Sequence, residues 1–366
     1  MSWPQSEKLT QSVVAMLRVN LGLQPGERLL VISDLPSEND WQLKETGELE
    51  EMLERAMLGR MLADIAAANY PSNRVSFHVF PATGSHGAEP DEATARLMLK
   101  AEVILYLTTY SLSHTNARAE AGKNGARIAS MPQFEISMLA PDGPLAVDTK
   151  QVSADVKRFA TLLSTAKQAT VRTEYGTDLH FSLEGRQGRI DDGLFLSPGS
   201  FGNLPAGEAY IAPLEGSGEG HLVVLPDCPA GVMPAGWRTG GTKPPGWYPG
   251  LQDAMTLYFE KGEVVKLAGG GTIGDQFRRQ LNLESDDPKY KSRRNLAELG
   301  IGCNPNARRP DNVLEAEKIK GSVHIAIGDN AHMGGQVDSD LHEDFVQPQP
   351  DLILDGKAVI VKGKWQ

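Results

Sequence analysis

The chain has 366 residues, 40% of them apolar, which suits two domains with real cores better than one small domain. A formal charge of −11 with no basic run argues against a nucleic-acid partner, because phosphate neutralisation needs basic patches. No apolar run reaches the roughly 18 residues of a membrane span, and the first residues lack the basic-then-apolar order of a signal peptide. A cytoplasmic protein is expected, with no membrane partner. The two cysteines, Cys228 and Cys303, lie outside any CxxC spacing and are expected to be ordinary thiols.

Apolar positions at Leu9, Val13, Val14, Met16, Leu17 and Val19 predict an amphipathic helix over 5–22, stopped by Gly22 and Pro25-Gly26. Arg28–Asp34 reads as a strand ending in an acidic residue. A long helix follows over about 48–68, then a strand at Val75–Phe80 and a helix at Glu92–Lys100. Ala101–Thr108 is apolar enough for a strand buried on both faces. A helix at Thr115–Asn124 and a strand at Ala126–Met131 continue the pattern. Strands alternating with helices imply a parallel sheet, so the fold class is α/β. No GxGxxG or P-loop accompanies it, so this first domain (1–165) is expected to serve as scaffold and dimerisation surface. Asp34 is expected to cap a loop.

The pattern changes near 165. Ala169–Arg172 and Leu179–Leu183 flank EYGTD as a hairpin. Short strands are expected at Ala209–Ala212, Leu222–Leu225, Thr256–Glu260, Val264–Leu267, Val323–Ile327, Leu352–Leu354 and Ala358–Lys362, with one helix over about 274–283. Residues 166–366 therefore read as a strand-rich metal-binding domain. Asp227–Gly250, rich in Gly and Pro with Trp237 and Trp247, has no period and is expected to be a pocket lid or wall.

The chemistry concentrates in Val323–Phe345, VHIAIGDNAHMGGQVDSDLHEDF, which holds three of the eight histidines. His324 sits inside a strand. His342 and Asp344 are an i, i+2 pair, which extended backbone places on one face. Glu343, between them, is expected to point the other way, and His332 to be peripheral. Upstream, Glu208 in NLPAGEAYIAP is delivered by a Pro/Gly loop just before a strand. Glu298 in NLAELGIGCNP is expected on a helix-to-turn segment. Imidazole and carboxylate suit a divalent metal. Five donors (Glu208, Glu298, His324, His342, Asp344) exceed the need of one ion and suit two sharing a carboxylate, with Asp344 the expected bridge. Glu208 and Glu298 are also the candidate catalytic residues. Glu315 and Glu317 are expected to pair with Lys318 and Lys320 rather than to bind metal.

NLPAGEAYIAP, AELGIGCNP, VHIAIGDN and SDLHEDF…PDLILDGKAVI together resemble the aminopeptidase T family of metalloaminopeptidases, and LGLQPGERLLVISD resembles its N-terminal domain. The resemblance implies that Glu208, Glu298, His324, His342 and Asp344 match five ligands of a dinuclear zinc or cobalt site; the donor chemistry also admits manganese. It also implies a homodimer acting on small amino-acid-like or short-peptide substrates. One position departs: the family's active-site Tyr, seven residues after the first His, is Ala331 here. The 2,5-dihydroxypyridine 5,6-dioxygenases are a related family with the same HxD and closing hairpin. They use one iron(II) and carry His where this chain has Glu298. The reading that follows is a two-metal hydrolase, with an iron(II) ring-cleaving dioxygenase or an inactive metal-binding homodimer as alternatives.

Overall fold

The structure is a computed structural model that describes residues 6–224, 254–310 and 312–366. The expectations for Asp227–Gly250, including Cys228, Trp237 and Trp247, lie outside the described residues. The described residues group into two compact units, one within Met1–Ser153 and Asp191–Ala206, the other within Ala154–Ile190 and Gly207–Gln366. The chain therefore crosses between units three times, where the pattern change near 165 suggested one crossing. Helix Thr149–Thr165 starts in the first unit and continues in the second.

The first unit is built on a five-stranded sheet, all parallel, in the order Arg74–Pro81, Arg28–Leu35, Val103–Leu107, Arg127–Ser130, Phe201–Asn203. Its middle strand, Val103–Leu107, is buried throughout, as a parallel strand covered on both faces must be. Leu30, Ile32, Phe80, Ile104, Tyr106 and Ile128 form one core cluster with residues of the neighbouring helices. The connecting helices begin where their caps dictate. Glu45 and Glu48 form a reciprocal box at Thr46–Asn69, and the side chains of Asp91 and Thr115 accept the amide hydrogens of Thr94 and Arg118. Asp34 is buried at its strand end. Its carboxylate accepts hydrogen bonds from the Thr109 amide at 2.8 Å and the Thr109 hydroxyl at 3.1 Å, so it ties down the loop after the middle strand.

The second unit is strand-rich. An eight-stranded, wholly antiparallel sheet runs from Glu263–Gly269 to the C-terminal strand Lys364–Trp365. It contains the expected hairpins, including Asp351–Leu354 with Lys357–Val361 around Asp355-Gly356. A second sheet sets His342–Gln347, Val323–Gly328, Leu296–Gly302 and Glu208–Ile211 side by side, each antiparallel to the next. Leu296–Gly302 corrects the helix-to-turn expectation: it is a strand with every residue buried. LAEL alone reads as helical, but the following Gly-Ile-Gly opposes a helix, and burial on both faces overrides local propensity. Among the described residues, no helix is long and apolar enough to cross a membrane.

Candidate metal centre

Register in the second sheet decides which side chains meet. Glu298, Ala326 and Asp344 lie in one cross-strand row, Gly300 pairs with His324, Gly328 with His342, and Gly302 with Glu208. Directly paired residues share a face, and so do residues two apart on one strand. Glu208, Glu298, His324, His342 and Asp344 therefore rise from the same face. Gly300, Gly302, Ala326 and Gly328 in these rows are small, which leaves space for the longer side chains, while Tyr210 and Val346 complete the row through Gly300 and His324. Glu343 falls in the alternate row, opposite Ile327, and points to the reverse face.

Two local devices aim the donors. The pairing slips by one residue between Leu296 and Glu298, a bulge at Ala297 that resets the direction of Glu298. Gly300 lies beneath the His324 imidazole: a Cβ there would come within 1.9 Å of Nε2 and 2.0 Å of Cε1. Gly207, at φ +125°, takes a conformation open to glycine and packs on the Asn304 backbone, which sets the start of the strand carrying Glu208.

The five candidate ligands form two groups, Glu208/Glu298/His324 and Glu298/His342/Asp344. Glu298, not Asp344, is common to both. Its Oε1 lies 3.3 Å from His324 Nε2 and its Oε2 lies 3.2 Å from His342 Nε2. His324 Nε2 is also 3.3 Å from Glu208 Oε1, and His342 Nε2 is 3.6 Å from Asp344 Oδ1. His342 Nδ1 lies 2.7 Å from the Asp329 carbonyl oxygen. Nδ1–H donates there, so Nε2 faces the carboxylates, the arrangement that orients metal-binding imidazoles.

The fit to a metal can be judged from the protein atoms. Asp344 Oδ1 is buried without a hydrogen-bond partner among the described residues, a costly state for a carboxylate oxygen unless a cation completes it. The donors are N and O only, as borderline and hard divalent ions prefer. Without a cation, protons take its place. Burial alone would lower both histidines, but Glu208 and Glu298 hold His324 well above the usual range, and Asp344 and Glu298 do so for His342. Burial would raise Glu298, but the two imidazoles outweigh it and hold it at about 2. Asp344 is likewise held at about 2, against its burial, chiefly by His342.

Lys318 and Glu317 also belong to this cluster. Lys318 is buried, and its ammonium pairs with Glu208 and, at 2.8 Å, with Glu317. Burial and the Asp344 and Glu208 carboxylates push Glu317 up to about 7, although Lys318 opposes this. Burial and Asp344 push Glu343 up to about 8. The pairing of Glu317 with Lys318 was expected, but not a lysine inside the site. No spacing in LEAEKIKG gives it away, because the segment meets Glu208 only through tertiary pairing of Asn304 with Lys318 and Ile319. Glu315 Oε1 accepts the Arg308 and Arg309 amide hydrogens. His332 pairs with Asp329 at the edge of the cluster, its ring 5.3 Å from that of His342. Ala331 is exposed on the single helical turn Ala331–Met333. Cys303 is buried, and burial raises its thiol far from thiolate chemistry.

The family model of the 2,5-dihydroxypyridine 5,6-dioxygenases matches residues 10–231 and 246–366. The chain belongs to the 2,5-dihydroxypyridine 5,6-dioxygenase family. The enzyme of that name from Pseudomonas putida is 25% identical over 272 residues, covering 71% of this chain and 70% of its own. The solved structure of a 2,5-dihydroxypyridine dioxygenase from Pseudomonas putida superposes with a TM-score of 0.68 at 18% identity, covering 99% of this chain and 98% of that one. Wild-type AmpT from Thermus thermophilus gives 0.61 at 15% identity, covering 98% and 99%. At these identities the two structures speak for the fold alone: this dioxygenase-family member shares one architecture with both. It has a metal-dependent enzyme fold with a plausible metal site.

Proposed function

We propose that the chain is a two-cation hydrolase, an aminopeptidase or amidohydrolase acting on a small amino-acid-like or short-peptide substrate. The observation that carries this reading is the placement of Glu298, which offers one carboxylate oxygen toward each imidazole and so joins two three-donor groups. One ion with an open position needs about three protein donors. Two groups sharing a carboxylate suit two ions. Charge suits a cation here: the Glu208, Glu298 and Asp344 carboxylates outnumber the one ammonium, of Lys318, that pairs with them.

Zinc, cobalt or manganese fits these donors, and what such a pair supplies when bound is a water acidic enough to attack a carbonyl at neutral pH. The chain's residues set the frame. Glu298 spaces the two groups, the Asp329 carbonyl holds the His342 ring in its tautomer, and Gly300 leaves the space His324 fills.

Family membership favours a second reading, ring cleavage of a dihydroxypyridine-type substrate by a single iron(II). A facial iron site takes two histidines and one carboxylate. Around His342 and Asp344 the third donor is Glu298, which gives one histidine and two carboxylates. Fold and family transfer chemistry less securely than the donor set does, and the donor set is what supports placing the two-cation reading first.

The test is a paired assay. Metal-depleted protein resupplied with Zn, Co or Mn is run on a panel of aminoacyl substrates, and protein loaded with iron(II) is run for oxygen uptake on 2,5-dihydroxypyridine. Metal-dependent hydrolysis, lost in Glu208→Gln with the fold intact, is the expected result. Oxygen uptake without hydrolysis would replace this reading with the second. Metal binding with neither turnover would mark an inactive metal-binding protein.

A further inference from the structure

The two-cation reading gives Lys318 no task. Its side chain is 2% exposed and its ammonium lies on Glu208 Oε2, with Glu317 Oε2 at 2.8 Å. The backbone beneath it is fixed. The Lys318 amide donates to the Glu315 carbonyl at 3.0 Å, and its carbonyl accepts the Asn304 amide hydrogen at 2.8 Å. The next contact, Lys320 amide to Asn304 carbonyl at 3.1 Å, pins the other side. A surface lysine can swing its charge into water. This one is held in the cluster.

The two donor groups are therefore electrically unequal. In Glu208/Glu298/His324, one oxygen of Glu208 already faces an ammonium. In Glu298/His342/Asp344, Asp344 Oδ1 is buried without a hydrogen-bond partner among the described residues. Like charges close together in a site shielded from solvent repel with little screening. We propose that Lys318 is a built-in competitor for the Glu208 half of the site. The first cation enters at Glu298, His342 and Asp344, and the second enters beside Glu208 more weakly. The role rests on the two-cation reading and refines it: the chain fixes the order of loading and tunes the second ion's affinity. A lysine that merely oriented Glu208 would act in the opposite direction, helping the second ion to bind.

The experiment is a Co(II) titration of the metal-free full-length protein, followed by d–d absorption and calorimetry. The wild type is expected to take two equivalents, the second at least about ten-fold more weakly. Lys318→Met should tighten the second step by about ten-fold or more and leave the first unchanged. Lys318→Arg keeps the charge and should keep the gap, which also covers the case in which the methionine variant does not fold. Two equal steps in the wild type, a second step unchanged or weakened by Lys318→Met, or a gap lost in Lys318→Arg would overturn the role of Lys318. A single equivalent in both wild type and Lys318→Met would instead overturn the two-cation reading itself.

Discussion

Gly300→Ala is the most exacting perturbation of the site, because it adds one methyl group at a place where the geometry leaves none. The new Cβ would lie 1.9 Å from His324 Nε2, 2.0 Å from Cε1 and 2.7 Å from Cδ2, whereas real Cβ contacts essentially never fall below 3.0 Å. The ring would have to move by roughly 1 Å or more, which disturbs its present placement 3.3 Å from Glu208 and from Glu298. Overpacking of a buried site costs about 1–3 kcal/mol. If the second unit unfolds by itself, that lowers its Tm by roughly 2–4 °C per kcal/mol. A displaced ligand should also weaken the cation at the Glu208 group, by on the order of ten- to a hundred-fold, as disturbed ligand support does at other metal sites. Differential scanning calorimetry and Co(II) titration read the two effects separately. Gly47→Ala is the control. It lies in the first turn of a helix with nothing within 4 Å of the new methyl, so it should be neutral or stabilise by up to about 1 kcal/mol. A Gly300→Ala protein with wild-type Tm and wild-type metal affinity would refute the placement of the His324 ring, and with it the first donor group.

Because Glu298 serves both groups, Glu298→Gln should weaken both cation steps, while Asp344→Asn should weaken chiefly the step at His342; the Co(II) titration compares them. His324 and His342 have raised pKa values in the folded protein, so their contribution to stability is present below the unfolded value of about 6.5 and is lost as pH rises through the folded values. Glu298 and Asp344 are depressed to about 2, so their contribution is present above the unfolded carboxylate range and is lost as pH falls toward 2. Cations bind the unprotonated imidazoles, so metal uptake near neutral pH should release protons and tighten as pH rises. Calorimetry in two buffers of different ionisation enthalpy checks this, and identical heats would count against it. In the first unit, Asp34→Ala strips the Thr109 amide and hydroxyl of their acceptor and should cost about 1–3 kcal/mol in urea unfolding. It should leave the Co(II) titration unchanged.

Much of the fold was legible because its signals are local. The alternation of Arg28–Asp34, Val75–Phe80, Ala101–Thr108 and Ala126–Met131 with helices predicted the parallel sheet, and Asp355-Gly356 marked the closing hairpin. Leu296–Gly302 was not legible. Its first residues favour a helix, and only burial between the strands of Glu208 and His324 makes it a strand. Three of the site residues were readable as a constellation because His324, His342 and Asp344 lie on adjacent strands close in sequence. The bulge at Ala297, the sharing of Glu298 and the entry of Lys318 depend on pairing across more than twenty residues, which period and composition do not encode. Charge pattern made Lys318 a surface partner of Glu317. Burial beside Glu208 makes it part of the site.

This face of the second sheet is proposed to hold two cations through one shared carboxylate. The most direct measurement is a crystal structure of protein saturated with Zn or Co, with anomalous data collected at the metal edge. Two anomalous peaks are expected, one bounded by Glu208, Glu298 and His324 and the other by Glu298, His342 and Asp344, with Glu298 contacting both. A single peak at His342 and Asp344 under saturating metal, with Glu208 still paired to Lys318, would contradict it.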